Sequence, residues 1–164
     1  MSMGFLLKPL PYILMEALKI AVYLHCSAIL HEKAAAYAAQ DQSLLASLDS
    51  EGKSSAGDKH ETGRAMIQLE REKLAQQRQL NDSAYLALTA LKNKVSTLII
   101  GPGSLVQTSL ATYYLAVPAD VFIQETTTVY CISPQSPVGQ ILLGKKQGDQ
   151  IVFRDQKFEV LALC

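Results

Sequence analysis

Hydrophobic residues recur every seven positions along the first third of the chain. From Tyr12 to about Ser50 there is neither proline nor glycine, and alanine, leucine and glutamine dominate, which favours one long helix. The seven-residue repeat consists of Tyr23, Leu30, Tyr37 and Leu44, with Ala34 and Leu48 on the adjoining stripe and Ser27 and Asp41 as polar interruptions. This imperfect heptad pattern predicts a coiled-coil helix.

A second helical pattern follows a short polar break. Residues 50–57, SEGKSSAG, are rich in glycine and serine, which predicts a turn. Helicity resumes after Asp58 and extends to about Lys94. In that stretch Ile67, Leu74 and Leu88 follow the seven-residue spacing, and Asn81 occupies the remaining position. Two long helices joined by a short turn most simply form an antiparallel coiled-coil hairpin, predicted over residues 1–94 with its tip at about 51–61.

Beyond Lys94 the chain changes to short β-branched and aromatic segments separated by turn residues, which predict strands. The segments are VSTLII, SLVQTSLATYYLAV, TTTVYCIS, QIVF and KFEVLAL. Between them, Ser136 is suited to cap a short helix, Pro137 to its first position and Gly144 to its end. Residues 95–164 are therefore predicted to form a small antiparallel β domain with one short helix, which makes the fold class α+β.

The first 30 residues are apolar enough to raise the question of a membrane span. Four charged or titratable residues interrupt them: Lys8, Glu16, Lys19 and His25. The longest uncharged stretch, Ile20–Ile29, is too short to cross a bilayer. We therefore expect a buried or self-associating helix and no membrane partner.

Charge and cysteine content limit the functional classes further. The formal net charge is +0, whereas a domain that binds nucleic acid by neutralising phosphates usually has a clear positive excess. Autonomous DNA binding is therefore not expected, and a protein partner fits better. Cys26, Cys131 and Cys164 are widely spaced without a CxxC motif, which indicates reduced thiols in a cytoplasmic protein and neither a zinc site nor a disulfide framework.

Residues 132–163 resemble the C-terminal signature of the GreA/GreB transcript cleavage factors. The resemblance is carried by ISPQSPVGQILLGKKQGDQIVF and the following KFEVLAL. The family has a similar run of Ser-Pro, a short helix that ends in Gly-Lys-Lys, Gly-Asp, and two closing strands. It also joins a long coiled-coil hairpin to this small FKBP-like domain, which agrees with the pattern of the whole chain.

The predicted tip carries a second part of the resemblance. Gly57, Asp58 and Glu61 match the family's Gly-Asp, two residues, then Glu. The resemblance implies that the hairpin enters the secondary channel of bacterial RNA polymerase, where the two acids help to hold the second catalytic Mg²⁺ and its water. The polymerase then cleaves the 3′ end of backtracked RNA. Ser136 and Pro137 match the Ser-Pro of the region that docks on the polymerase.

The resemblance therefore implies an accessory factor and not an enzyme. It would have no cofactor of its own and would use the Mg²⁺ of the polymerase active site. Its partner would be RNA polymerase, and it would act on the nascent RNA 3′ end only indirectly.

Several alternatives remain open. Asp58 and Glu61 also have the spacing of a capping box, with Asp58 at the N-cap and Glu61 at the third helical position. After its Glu the family continues Asn-Ala-Glu-Tyr, whereas this chain has the sequence TGRA at residues 62–65. Some members of the superfamily modulate or inhibit the polymerase without cleavage. A structural coiled-coil adaptor is another class, and a peptidyl-prolyl isomerase is disfavoured because the chain has no Trp and only four Phe.

Overall fold

A computed structural model describes residues 9–52 and 57–164, and for residues 57–60 it describes the backbone alone. The described helices are α1 (Tyr12–Gly52), α2 (Gly57–Ala90) and α3 (Pro137–Leu142). The described strands are β1 (Leu105–Thr108), β2 (Thr112–Leu115), β3 (Phe122–Gln124), β4 (Thr127–Ile132), β5 (Gln150–Phe153) and β6 (Gln156–Leu163). The predicted α+β class, two long helices followed by a small sheet domain, is confirmed.

These elements form two compact units. The first, which we call the hairpin unit, comprises Leu30–Tyr85. The second, which we call the sheet unit, combines the described residues up to Ile29 with Leu86–Cys164. The predicted domain boundary between residues 94 and 95 lies in the connection from α2 to β1 and stays a prediction.

The hairpin unit consists of α1 and α2 segments that run antiparallel. Asn81 in α2 donates from Nδ2 to the carbonyl of Leu30 at 3.0 Å, and Arg71 donates from Nε to Oδ1 of Asp41 at 3.0 Å. Residues later in α1 therefore contact residues earlier in α2, so the two helices are antiparallel. Leu30 and Leu74 are buried, and Tyr37 and Leu44 are half-buried, so the predicted seven-residue stripe faces the partner helix.

The sheet unit contains a six-stranded sheet in the order β3-β4-β2-β1-β6-β5. Neighbouring strands are antiparallel except β2 and β4, which are parallel in the register Thr112↔Val129 to Leu115↔Ile132. The prediction of an antiparallel domain did not include this parallel pair. The strands β3 and β4 form a hairpin, and β4 pairs with β2 in the parallel direction. The pattern of apolar residues within a strand does not specify which strand becomes its neighbour.

Helices cover both faces of the sheet. A buried cluster joins α3 to one face; its members are Ile100, Val106, Leu115, Leu142, Ile151, Phe158 and Val160. The first turns of α1 supply Met15, Val22 and Cys26, each without exposed surface. His25 donates from Nε2 to the carbonyl of Asp120 at 2.8 Å, which holds this part of α1 at the strands.

The apolar start of the chain is therefore partly buried as expected. By length and composition alone, α1 is also long and apolar enough to cross a membrane. Of the 18-residue stretch of α1 that meets this criterion, 22% is buried within the structure. A core helix of a soluble protein meets the same criterion. The expectation of no membrane partner stays a prediction.

Candidate functional site

The two helices of the hairpin unit remain in close contact up to the end of α1. A β-carbon at Gly63 would lie 3.3 Å from Cδ of Glu51, so the glycine makes room for this carboxylate. One residue further along each helix, Nη1 of Arg64 lies 4.0 Å from the β-carbon position of Gly52. The end of the hairpin unit thus brings together side chains of both charges.

The two predicted tip acids belong to the first turns of α2. The helix begins at Gly57, so Asp58 is its second residue by backbone position and does not occupy the N-cap that a capping box requires. The side chain of Asp58 lies outside the described residues. Glu61 follows three residues later, with an exposed side chain, and residues three apart are neighbours on one helix face. The role of both acids stays a prediction.

The carboxylates predicted at this end of the hairpin unit are chemically suited to a metal ion that also has ligands from another molecule. Carboxylate oxygens are the ligands that Mg²⁺ prefers, and they are usually few, with water completing the shell. Among the described residues, no group of three or more His, Cys, Asp or Glu could hold a metal ion. A role of Asp58 and Glu61 as metal ligands stays a prediction.

The second predicted site lies at the start of α3, in the sheet unit. Ser136 is the N-cap, as predicted: its Oγ accepts from the amide of Gly139 at 3.1 Å and donates to the carbonyl of Ser133 at 2.7 Å. Pro137 is the first helical residue and is exposed. Gly144 follows the helix with φ 79°, as its predicted place at the helix end requires. Ser136 is therefore held by its bonds, and Pro137 faces solvent.

Gly139 is the residue of this region that the sequence interpretation missed. A β-carbon there would lie 2.4 Å from the carbonyl oxygen of Ser133 and 2.8 Å from that of Pro134. Only glycine lets the helix approach the preceding turn so closely. The available signal was the glycine itself, because glycine inside a helix is unfavourable unless packing requires it.

The Gly-Asp part of the signature has a structural role. Oδ2 of Asp149 accepts from the amide of Lys146 at 2.9 Å, and the amide of Gly148 donates to the carbonyl of Val160 at 2.8 Å. These bonds close the turn into β5. The signature therefore identifies a fold element first, and the role of Pro137 in partner contact stays a prediction.

The fold and the cap geometry together define a known class of domain. Residues 105–163, from β1 to the end of β6, match the family model described as "Transcription elongation factor, GreA/GreB, C-term". The sheet unit thus contains a domain of the GreA/GreB C-terminal type, which spans 59 of the 164 residues of the chain. The match does not extend to the helical hairpin.

Two solved structures are similar to this chain at low sequence identity. One is the crystal structure of GreA factor homolog 1 (Gfh1) of Thermus thermophilus, at 20% identity and a TM-score of 0.31, covering 84% of this chain and 94% of that chain. The other is a structure of the transcription factor Gfh1, at 22% identity and a TM-score of 0.31, covering 84% of this chain and 92% of that chain. No curated protein matches the chain.

Proposed function

We propose that this protein is an accessory transcription factor that binds bacterial RNA polymerase in the cytoplasm and acts through the secondary channel. The observation that carries the proposal is the GreA/GreB match over the sheet unit. In this proposal the polymerase supplies the active site, and the protein supplies a docking domain and a helical probe. No enzyme activity of its own is required.

Docking is assigned to the start of α3. Pro137 is exposed, and its orientation is set by the two hydrogen bonds of Ser136 and by the close approach of Gly139 to the preceding turn. A contact residue on such a rigid turn loses little conformational entropy when a partner binds. This supports Ser136 as the residue that positions the turn and Pro137 as the contact.

The chemical role is assigned to the end of the hairpin unit. At 1.5 Å per residue, the part of α1 in this unit is about 34 Å long, a narrow element suited to a channel. Asp58 and Glu61 would add carboxylate ligands to the Mg²⁺ of the polymerase. That ion supplies an activated water for phosphodiester cleavage. The positive end of the helix dipole of α2 favours acids at this position.

A second function, modulation of the polymerase without cleavage, is favoured by Arg64. It lies three residues after Glu61 on α2, so the two side chains are neighbours on the helix surface. Its guanidinium lies near Gly52 at the same end of the hairpin unit. A cation beside the carboxylate of Glu61 opposes the approach of a divalent metal ion.

Cleavage of backtracked RNA tests the proposal directly. Stalled RNA polymerase would be supplied with Mg²⁺ and this protein, and the labelled RNA 3′ end would be followed. Asp58→Ala with Glu61→Ala is expected to reduce stimulated cleavage by about 100-fold, on the scale of a lost electrostatic group at a reacting centre. Glu70→Ala with Glu72→Ala removes two exposed acids from the same helix and is the matched control, expected to leave cleavage unchanged.

Competition with a cleavage factor separates the two functions. If the wild type competes without cleavage, the modulating function holds, and Arg64→Glu is then expected to introduce cleavage because it returns an acid to that position. Pro137→Glu is expected to weaken competition in either case. A protein that neither cleaves nor competes, yet forms a stable dimer, would instead be a structural adaptor.

A further inference from the structure

A cavity of about 220 Å³ lies in the sheet unit between the first half of α1, the turn that follows α2, and β2. Its apolar walls include Ile20, Leu24, Leu91 and Tyr114. Pockets for free small molecules are commonly about 300–1,000 Å³. The smaller volume fits one large side chain, and insertion of a single anchoring side chain is typical of protein–protein recognition.

The face of α1 beside the cavity is apolar and exposed. Ile13, Ile20 and Leu24 are 80%, 60% and 60% exposed and lie seven and four residues apart, which places them on one helix face. Met15 and Val22 have no exposed surface. The first half of α1 is therefore apolar on two sides, one buried against the sheet and one facing solvent. An exposed stripe with this spacing suits the packing of a second helix.

The segment between α2 and β1 extends this apolar surface. Ser96 donates from Oγ to Oε1 of Glu16 at 2.6 Å and accepts from Nζ of Lys19 at 3.5 Å, which ties the segment to α1. On either side of Ser96, Val95 and Leu98 are 81% and 88% exposed. The segment that contacts Glu16 and Lys19 thus exposes large apolar side chains, which are typical of interaction sites when they adjoin an apolar patch.

The charges around the cavity are mainly positive. Lys19, Lys92 and Lys94 line it together with one carboxylate, that of Glu16. In the described part of the chain none of these lysines forms a salt bridge. The hydrogen bond from Ser96 lowers the pKa of Glu16, so its single negative charge is retained and already engaged.

The positive charge around the cavity favours one kind of partner over the others. A second copy of the chain docked through the same surface would bring the lysines of both copies together, which opposes self-association. A lipid surface is flat and would leave the cavity unfilled. Carboxylates on a folded peptide, by contrast, would meet the lysines while an apolar side chain enters the cavity.

We propose that this surface binds a short amphipathic helix of a partner protein, which inserts one aromatic or large aliphatic side chain into the cavity and places carboxylates opposite Lys92 and Lys94. The inference stands independently of the hairpin end and of the proposed function. In the proposed complex, the partner helix lies along the exposed apolar stripe of α1, and residues 95–99 form the second wall of the binding groove.

Binding of two designed peptides to the full-length protein tests the inference. Both fluorescein-labelled helical peptides carry leucine and phenylalanine at positions i, i+3, i+4 and i+7, with glutamate on the flanks of one and lysine on the flanks of the other. The acidic peptide is expected to bind at least about 10-fold more tightly by fluorescence anisotropy, with affinity that falls as salt rises.

Three variants locate the site. Ile20→Ala and Lys92→Glu are each expected to weaken binding of the acidic peptide by about 10-fold, and Lys73→Glu, an exposed lysine of the hairpin unit, is expected to leave it unchanged. Ile20 and Lys92 are exposed, so circular dichroism should confirm an unchanged fold. Equal binding of both peptides, no effect of Ile20→Ala, tighter binding of anionic phosphatidylserine vesicles, or a dimer disrupted by Ile20→Ala would each overturn the proposal.

Discussion

The sheet unit and the hairpin unit of this protein are stabilised by different kinds of contact. In the sheet unit, residues far apart in the chain meet: the amide of Leu10 donates to Oε1 of Gln107, and Leu105 and Cys164 exchange backbone hydrogen bonds. In the hairpin unit, each layer joins one residue of α1 to one of α2. Among its described residues, the buried ones are Leu30, Leu74 and Asn81.

This difference in contacts indicates how far the effect of a substitution spreads in each unit. A change in the sheet unit affects strands and helices that pack on a shared core, so its surface is held rigidly and suits docking. A change in the hairpin unit affects one layer of a two-helix seam. Substitutions at its end, such as changes at Gly63 or Arg64, are therefore expected to have little effect on the rest of the protein.

The largest effect is expected at Gly139 in the sheet unit. Gly139→Ala places a β-carbon against two backbone carbonyls that belong to the turn before α3, so it should lower the free energy of unfolding by about 3 kcal/mol. Urea denaturation measures the loss, and amide hydrogen exchange should locate it in the sheet unit. Gly144→Ala is the control: it meets no atom within 4 Å and should cost about 1 kcal/mol for its φ of 79° alone. Equal losses would contradict the steric explanation.

Alkaline pH should weaken the sheet unit selectively, because the buried thiol of Cys164 belongs to it. Burial raises the pKa of Cys164 to about 11 from an ordinary 9.0. The unfolded chain then ionises at lower pH than the folded chain, so stability is complete below pH 9.0 and falls as pH rises towards 11. The slope should be at most about 1.4 kcal/mol per pH unit for this thiol.

Unfolding by urea at several alkaline pH values measures this slope. Cys164→Ala should flatten it, although the variant is less stable at neutral pH. Hydrogen exchange in the hairpin unit should change little over the same range. An unchanged slope in Cys164→Ala would assign the effect to other groups, such as Tyr114, whose pKa burial also raises.

A smaller effect of opposite sign is expected at Asn81 in the hairpin unit. Asn81→Leu continues the apolar spacing of Leu74 and Leu88 and should raise the free energy of unfolding by about 1 kcal/mol, because a buried polar residue in a helical seam specifies register at a cost in stability. Thermal denaturation followed by circular dichroism measures the change. Asn81→Ala, which removes the hydrogen bond to Leu30 without filling the space, should destabilise; destabilisation by Asn81→Leu as well would mean that the hydrogen bond outweighs burial.

The smallest effect is expected at Gly63. Alanine is preferred over glycine inside a helix by about 0.5–1 kcal/mol, and among the described residues the atoms nearest to a β-carbon at Gly63 belong to the flexible carboxylate of Glu51. Gly63→Ala should therefore stabilise the hairpin unit by about 0.5 kcal/mol, in contrast to the same change at Gly139. A loss of stability in the thermal melt would show that Glu51 cannot move aside.

Local patterns alone were sufficient for much of the fold and for part of the candidate site. The seven-residue spacing predicted which residues of α1 and α2 face each other, since residues at this spacing lie on one side of a helix. Ser136 and Pro137 predicted the start of α3, and Gly144 its end, because each acts on the backbone beside it. The spacing of Asp58 and Glu61 predicted Asp58 at the N-cap, whereas α2 already begins at Gly57.

Other features were decided only by contacts between distant parts of the chain. The parallel pairing of β2 with β4 depends on which strands meet, and the need for glycine at residue 139 depends on two carbonyls of the preceding turn. The cavity beside Ile20 forms only when α1, α2 and β2 come together. The sequence by itself therefore determined the helices, the caps and the family signature, because their causes lie within a few residues. The tertiary structure decided strand order, close packing and the second apolar face of α1, because burial is a property of neighbours that the chain brings together only on folding.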